Sequence, residues 1–270
     1  MIIDAVDVSL EEIALTRPYS ISYKNTSSMR NLVIKISLNS GVYGLGAASV
    51  SKYVVGIDTE SSYKNALAYK DELIGKNISN LFQNIDSIEK DLIKDPGSRA
   101  AFNIALYDVF CKNSNIPVSK FLGQKIKPLP TSVTVGIKGV EETLEEIEDY
   151  CASGFNHIKI KLGQQIDQDI ERIVKTQERF KNSIKIRIDA NQGWSFDDTV
   201  KFFNTVGNIE LIEQPLKVSE TEECLGFSKE LKKIIALDES IVTPENAITF
   251  SSKDYAGIFN IKLMKCGGIS

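Results

Sequence analysis

Short apolar segments recur through the second half of the 270-residue chain, and a helical pattern follows each of the first five. The segments are about 25 residues apart, and runs rich in isoleucine and valine of this length are predicted strands. Strands that alternate with helices and connect through right-handed crossovers form a parallel sheet. The repeat therefore favours a (β/α) barrel, although strand count alone leaves an open doubly wound sheet as the alternative. The six segments are TSVTVGI, HIKIKL, IKIRIDA, IELIEQ, IIALDE and GIFNIKL.

The first part of the chain has a different pattern. IIDAVDVSL and LVIKISL are predicted strands, and the turn Asn39-Ser-Gly41 joins the second of them to VYGLGAAS as an antiparallel hairpin. A polar loop is expected at TRPYSISYKNTSSM, residues 16–29, and helices at about 60–74, 80–93 and 98–112. We therefore predict an α+β domain over residues 1–125 and a partial barrel over residues 126–270.

Charge and cysteine usage exclude several classes of partner. The chain has 32 Lys and Arg against 36 Asp and Glu, mixed along its length, so no basic tract indicates a nucleic acid or an anionic membrane surface. The N-terminus has acids where a signal peptide has bases, and no apolar run approaches the ~20 residues of a membrane span. Four widely spaced cysteines and a single histidine predict reduced thiols rather than a zinc site. We expect a cytoplasmic homo-oligomer.

Acidic residues recur at the C-terminal ends of three consecutive predicted strands. Asp189, Glu213 and Asp238 are spaced 24 and 25 residues apart, so their carboxylates should meet at one rim of the barrel. Like charges this close need a cation between them, and oxygen-only donors favour a hard ion, so we predict one Mg²⁺ at this rim. The alternative is that each acid is a helix cap or a solvated loop residue.

Two lysines precede this acidic set in the stretch HIKIKLG. Lys159 and Lys161 are two residues apart, so both should point into the barrel beside Asp189. Lys262 ends the sixth predicted strand, 24 residues after the third acid, and is expected to face Lys161 across the carboxylates. The alternative is a set of surface lysines or of ion pairs inside the barrel.

The opposed lysines suggest a reaction. A nearby metal ion and a second lysine both depress the pKa of a lysine, so Lys161 is expected to act as a base near neutral pH. A carboxylate substrate on the metal would place its α-carbon between the two amines. Proton removal by one lysine and return by the other, from the opposite face, would invert that carbon.

These segments together resemble the enolase superfamily, in its muconate-lactonizing branch, and are most similar to the dipeptide epimerases. The matching motifs are KIKLG, RIDANQGW, IEQPL, ALDES and NIKLMKCGG, and the N-terminal part is similar to the family's capping domain. The resemblance implies an isomerase with an α+β capping domain and a (β/α) TIM-type barrel. It would catalyse Mg²⁺-dependent 1,1-proton transfer beside a carboxylate through an enolate, with dipeptide epimerisation favoured. Alternatives in this branch are N-acylamino acid racemase, o-succinylbenzoate synthase and cycloisomerase.

The resemblance also assigns roles to individual residues: an opposed acid/base pair, three ligands of one Mg²⁺, and three supporting residues. In that order these are Lys161 and Lys262; Asp189, Glu213 and Asp238; and Lys159, Asn191 and Glu239. A loop at about residues 17–28 would close over the site and help to select the substrate. Its candidate substrate contacts are Tyr19, Tyr23 and Lys24.

The family barrel has eight strands, whereas this sequence supplies about six before it stops at Ser270. A six-stranded barrel fragment would leave open apolar edges. We expect the barrel to be C-terminally incomplete and the natural protein to continue past Ser270. The alternative is a truncated form that is inactive or is completed by another chain.

Overall fold

The chain divides into two compact units. The computed structural model describes residues 1–21, 24–125 and 127–270. The first unit comprises Met1–Leu15, Ser28–Pro128 and Ile261–Ser270, and the second comprises Thr16–Ser27 and Leu129–Asn260.

A three-stranded sheet in the order β1-β2-β3 underlies the first unit. β2 and β3 are antiparallel, with Ile34 opposite Gly46. Gly41 in the connecting turn has a φ of 85°, and its N–H donates to the Leu38 carbonyl at 2.9 Å. The predicted hairpin is therefore confirmed. The strands are β1 (Ile3–Ile21), β2 (Lys24–Leu38) and β3 (Tyr43–Ala48).

The helices of the first unit pack on this sheet, and the longest lies directly against β3. A Cβ on Gly46 would lie 2.0 Å from the Ala101 carbonyl oxygen, so only glycine permits this approach of helix to strand. The three helices expected from the sequence are confirmed at 59–69, 81–91 and 96–113. In full, the helices are α1 (Lys52–Val55), α2 (Thr59–Tyr69), α3 (Leu81–Asp91), α4 (Pro96–Asn113) and α5 (Val118–Phe121), with 3₁₀ turns at Lys70–Leu73 and Ile78–Asn80.

The second unit contains, over the described residues, a sheet of six parallel strands in chain order. Each strand lies within one of the six predicted apolar segments, so the βα repeat is confirmed. The register places Lys161 opposite Asp189, and Asp189 opposite Glu213. The strands are β4 (Val133–Val135), β5 (His157–Lys161), β6 (Lys185–Asp189), β7 (Leu211–Glu213), β8 (Ile235–Leu237) and β9 (Ile258–Phe259).

The outer faces of these strands are apolar and buried. Ile158 and Ile160 of β5 and Ile188 of β6 are each 0% exposed, in a core shared with Ile173 and Phe202 from the helices. Burial of each such side chain contributes roughly 1.5–3 kcal/mol, which fixes the strand register and leaves the alternate residues on the other face. The helices are α6 (Val140–Ala152), α7 (Ile166–Phe180), α8 (Phe196–Thr205), α9 (Lys229–Ile234) and α10 (Pro244–Ser252), with a 3₁₀ segment at Val218–Gly226.

The last ten residues group with the first unit. They contain α11 (Leu263–Cys266), and Arg99 Nη2 donates to the Cys266 carbonyl at 3.0 Å. Asn103 accepts from the Ile269 N–H at 2.8 Å. Over the described ranges, every helix is too short or too polar to cross a bilayer. The expectation of reduced thiols agrees with four free cysteines, which are Cys111, Cys151, Cys224 and Cys266.

The expectation of a polar loop at residues 16–29 is wrong for the described part of that segment. β1 continues to Ile21 and β2 starts at Lys24, so these residues pair as strands. Arg17 of this segment contacts α6: its Nη2 lies 3.3 Å from Asp149 Oδ2, and its guanidinium lies 4.9 Å from the centre of the Tyr150 ring. These tertiary contacts to α6 are not visible in the local sequence pattern.

Candidate active site

Three buried carboxylates lie at the C-terminal ends of neighbouring strands. Asp189 ends β6, Glu213 ends β7, and Asp238 directly follows β8. Their exposed fractions are 1%, 5% and 1%, which is unusual for ionisable side chains and requires compensating partners. The structure thus places all three predicted acids at one edge of the parallel sheet.

Two lysines of β5 supply positive charge to this set. Lys159 Nζ lies 2.7 Å from both Asp189 Oδ2 and Glu213 Oε2. Lys161 Nζ lies 2.6 Å from Asp189 Oδ2 and donates to Asn191 Oδ1 at 2.8 Å. The two amines share a face because they alternate with the buried isoleucines of the strand. They therefore converge on one oxygen atom of Asp189.

Asn191 and Glu239 form a second layer behind Lys161. The Asn191 amide donates through Nδ2 to Glu239 Oε1 at 3.3 Å, and its backbone N–H donates to Asp189 Oδ1 at 3.0 Å. Asn191 has a φ of 43°, a left-handed conformation that asparagine tolerates better than most residues. Among the described residues, the buried Oε2 of Glu239 has no hydrogen-bond partner.

Burial and charge shift the pKa values of these groups in different directions. Burial lowers the pKa of Lys159, but the carboxylates of Asp189 and Glu213 outweigh it and raise that pKa above its ordinary value. Burial raises the pKa of Asp189, but Lys161 and Lys159 outweigh it and lower that pKa. Burial, together with the charge of Asp189, raises the pKa of Glu213. Lys159 is therefore positively charged at neutral pH, and the pKa of Glu213 is raised in part because the neighbouring carboxylates repel one another.

Two polar residues at this edge were missed by the sequence analysis. Asn260 Nδ2 donates to Glu213 Oε1 at 2.8 Å, and Gln214 Oε1 accepts the backbone N–H of Asp238 at 2.9 Å. Both are amide side chains directly after a strand, Asn260 after β9 and Gln214 after β7. That shared position was the available signal.

The remaining predicted site residues are Lys262 and the three candidate substrate contacts. Lys262 belongs to the first unit and immediately precedes α11. It lies three residues after the end of β9, so the expectation that it ends that strand is wrong. Its position opposite Lys161 stays a prediction. Of the substrate-contact candidates, Tyr23 and the side chains of Tyr19 and Lys24 lie outside the described residues.

The cluster's donor set fits a hard divalent cation. Over residues 1–21, 24–125 and 127–270, no three carboxylate, imidazole or thiol groups are arranged so that they hold an ion as they stand. Instead the Lys159 ammonium lies between Asp189 and Glu213, where a cation is needed. The donors are oxygens only, and burial and the charges of Asp238 and Asp189 also raise the pKa of Glu239. A bound Mg²⁺ would relieve the repulsion between these buried carboxylates and supply a partner for Glu239 Oε2.

Comparison with known proteins places these features in one family. Residues 5–123 match the mandelate racemase / muconate lactonizing enzyme N-terminal domain, and residues 142–270 match the enolase C-terminal domain-like family. The chain is 39% identical over 275 residues to the L-Lys-D/L-Arg epimerase of Desulforapulum autotrophicum, covering 100% of this chain and 77% of that protein. It is 30% identical over 272 residues to the L-Ala-D/L-Glu epimerase of Bacillus subtilis, covering 98% and 74%.

A solved structure supports the same assignment. The dipeptide epimerase of Methylococcus capsulatus, crystallised with Mg and the dipeptide L-Arg-D-Lys, has a TM-score of 0.95 and 36% identity, covering 99% of this chain and 77% of that one. The expected fold, a capping domain with an antiparallel hairpin and a parallel barrel domain of which six strands are present, is confirmed. The chain belongs to the mandelate racemase/muconate lactonizing enzyme family of the enolase superfamily.

Proposed function

We propose that this protein epimerises dipeptides at the α-carbon of the C-terminal residue by Mg²⁺-dependent 1,1-proton transfer. One observation carries the proposal. The Lys161 amine is held between Asp189 and Asn191, beside the fixed cation Lys159, at the strand ends that carry three buried carboxylates. A positioned amine, a neighbouring cation and an acid set that can bind a metal ion are the parts that α-proton transfer needs.

Lys161 would exchange a proton with the α-carbon from one face of the substrate. General-base chemistry requires the neutral form of the amine, and the contacts of Lys161 with Asp189 and Asn191 fix the position from which that amine would accept the proton. The C–H bond breaks, the new N–H bond forms on Lys161, and the electron pair moves into the substrate carboxylate. Lys262 would return a proton from the opposite face, which inverts the carbon.

Asp189, Glu213 and Asp238 would hold the Mg²⁺ ion. When bound, Mg²⁺ supplies positive charge that stabilises the negative charge developing on the substrate carboxylate. Asn191 and Glu239 would keep the Lys161 amine oriented, because a lysine only donates hydrogen bonds and a carboxylate only accepts them. The Asn191 amide therefore turns its Oδ1 toward Lys161 and its Nδ2 toward Glu239.

Dipeptides that contain lysine or arginine are the substrate class that the comparisons favour. The relative that epimerises L-Lys-D/L-Arg is 39% identical to this chain, whereas the relative that epimerises L-Ala-D/L-Glu is 30% identical. Both belong to one reaction class, so the difference concerns side-chain recognition rather than the chemistry at the α-carbon.

Deuterium exchange tests the proposal directly. The protein is incubated in D₂O with Mg²⁺ and with L-Lys-L-Arg, L-Ala-L-Glu or N-succinyl-L-Arg, and α-deuteration and the new epimer are followed by ¹H NMR. We expect exchange with inversion on L-Lys-L-Arg, its loss with EDTA and its recovery with added Mg²⁺. Absence of exchange on every dipeptide by folded, Mg²⁺-supplemented protein would reject epimerisation. Exchange on the N-succinyl compound alone would indicate an N-acylamino acid racemase.

A cytoplasmic location and a homo-oligomeric state are proposed with this activity. The four free cysteines support a reducing compartment, where thiols persist without forming disulfides. Cell fractionation tests the location, and size-exclusion chromatography with light scattering tests the oligomeric state.

A further inference from the structure

A buried carboxylate lies behind the loop that follows Lys161's strand. Asp169, in the first turn of α7, is 0% exposed and accepts four hydrogen bonds. Its Oδ2 accepts the backbone N–H groups of Gly163 at 2.9 Å and Gln164 at 3.1 Å, and the indole Nε1–H of Trp194 at 3.0 Å. Its Oδ1 accepts Arg172 Nη1 at 3.0 Å. The Asp169 side chain therefore accepts hydrogen bonds from all four of these donors.

These donors come from separate segments of the second unit. Gly163 and Gln164 belong to the loop between β5 and α7, whereas Trp194 belongs to the loop between β6 and α8. The Trp194 ring is 2% exposed and lies 4.6 Å, between ring centres, from Phe202. Asp169 therefore joins two active-site loops through a contact that has little freedom to move.

The two loops also touch backbone to backbone. Gly163 has a φ of 97°, and a Cβ there would lie 2.0 Å from the Ala190 carbonyl oxygen. A Cβ on Gly193 would lie 2.2 Å from the Gly163 carbonyl oxygen. No side chain fits between the loops, so their separation depends on these contacts and on Asp169.

Lys161 and its acceptors are attached to these same loops. Lys161 is two residues before Gly163, and its amine contacts Asp189 and Asn191, which end β6 and begin the following loop. We infer that Asp169 is a positioning residue for Lys161, which sets the separation between the Lys161 amine and its two acceptors. This inference rests on the proposed function, since it assigns a support to the base used there.

Asp169→Asn tests this role with little change in volume. One acceptor oxygen becomes an NH₂ group that faces N–H donors, so the two loops should move apart. A displacement of about 1 Å can cost roughly 100-fold in rate. We expect that loss in deuterium exchange from the epimer whose proton Lys161 removes, with KM little changed. Exchange from the other epimer should stay near the wild-type rate, which a general loss of folding would not allow.

A spectroscopic readout accompanies the kinetics. Trp194 is the single tryptophan of the chain, so intrinsic fluorescence reports on the Asp169 contact directly. Asp169→Asn should shift the emission of the folded protein. Glu171→Gln, which removes an exposed acid from the same helix, is the matched control and should change neither emission nor exchange. Trp194→Phe keeps an aromatic ring but deletes the donor, and should give a smaller loss confined to the same epimer.

The outcomes separate this inference from the proposed function. The positioning role requires that the wild-type protein exchanges both epimers. It would be overturned if Asp169→Asn and Trp194→Phe then lost exchange equally from the two epimers. It would also be overturned if neither variant lost any exchange. If Asp169→Asn does not fold, Trp194→Phe decides the question. No exchange by the wild-type protein would overturn the proposed function, and this inference with it.

Discussion

Lys161 Nζ lies 2.6 Å from Asp189 Oδ2, and the two residues are directly opposite each other in β5 and β6. The proposed base is therefore tethered to a proposed metal ligand by strand register rather than by a flexible loop. Because the same oxygen also contacts Lys159, a change in any of the three residues alters the charge felt by the other two. The site should respond to mutation as a unit, and additivity should fail within it.

Removal of the Lys161 amine should abolish exchange from one substrate face. We expect Lys161→Ala to lower α-deuterium incorporation from one epimer by roughly 10²–10⁴-fold, the usual contribution of a general base. Lys262→Ala should do the same for the other epimer. Initial rates of incorporation from L-Lys-L-Arg and L-Lys-D-Arg measure both. Lys175→Ala, which removes a half-exposed lysine of α7, should leave both rates unchanged. Full two-face activity in Lys161→Ala would show that its assigned role is wrong.

Loss of the third acid should weaken metal binding and abolish exchange from both faces. Asp238→Asn keeps the shape of a buried side chain but removes a charged oxygen donor, so we expect Mg²⁺ affinity to fall by more than the roughly 10–100-fold that loss of a residue supporting a ligand costs. Isothermal titration calorimetry measures the affinity. Asp197→Asn, at an exposed position in the first turn of α8, is the control. Unchanged Mg²⁺ affinity in Asp238→Asn would remove this residue from the ligand set.

The contact between the two active-site loops predicts a pair of unequal glycine mutants. Gly154 and Gly163 both have positive φ, at 91° and 97°, but nothing lies within 4 Å of a Cβ built on Gly154. Gly154→Ala should therefore lower the free energy of unfolding by about 1–2 kcal/mol, the cost of a left-handed alanine. Gly163→Ala should cost more, because its Cβ would meet the Ala190 carbonyl at 2.0 Å. Urea denaturation compares them, and equal losses would contradict the close approach.

Cys224 predicts a loss of stability in alkali. It is 1% exposed, and burial raises the pKa of its thiol to about 12. The unfolded chain therefore loses this proton first as pH rises. The contribution of Cys224 to the free energy of unfolding is fully present below pH ~9, where an ordinary thiol keeps its proton. It is lost progressively between there and about pH 12, by no more than ~1.4 kcal/mol per pH unit.

Urea denaturation across this range tests the Cys224 prediction against Cys224→Ala. We expect the free energy of unfolding of the wild-type protein to fall more steeply with pH than that of the variant. Alkylation followed by mass spectrometry gives a second measurement, since native Cys224 should react only after unfolding. The burial of the thiol would be contradicted if the free energies of unfolding of the two proteins fell equally with pH, or if Cys224 were alkylated rapidly in the native protein.

Much of the site follows from strand periodicity. Lys159, Lys161 and Asp189 could be predicted to share a face because side chains alternate in strands and the intervening isoleucines require burial. Asn260 and Gln214 could be singled out only by their position directly after a strand, because their hydrogen bonds depend on how neighbouring strands end in space. The extent of β1 also escaped prediction, since the contacts of Arg17 with α6 are distant in sequence.

Buried isoleucines alternate with lysines in the five-residue strand β5, so neighbouring positions are under different kinds of evolutionary selection. Substitution of Ile158 or Ile160 should change how much folded protein a cell accumulates, whereas substitution of Lys159 or Lys161 should change both that amount and what each folded molecule can do, because the lysines compensate buried carboxylates. A lineage that replaces an inward lysine to explore a new reaction must therefore also change the carboxylates that the lysine compensates.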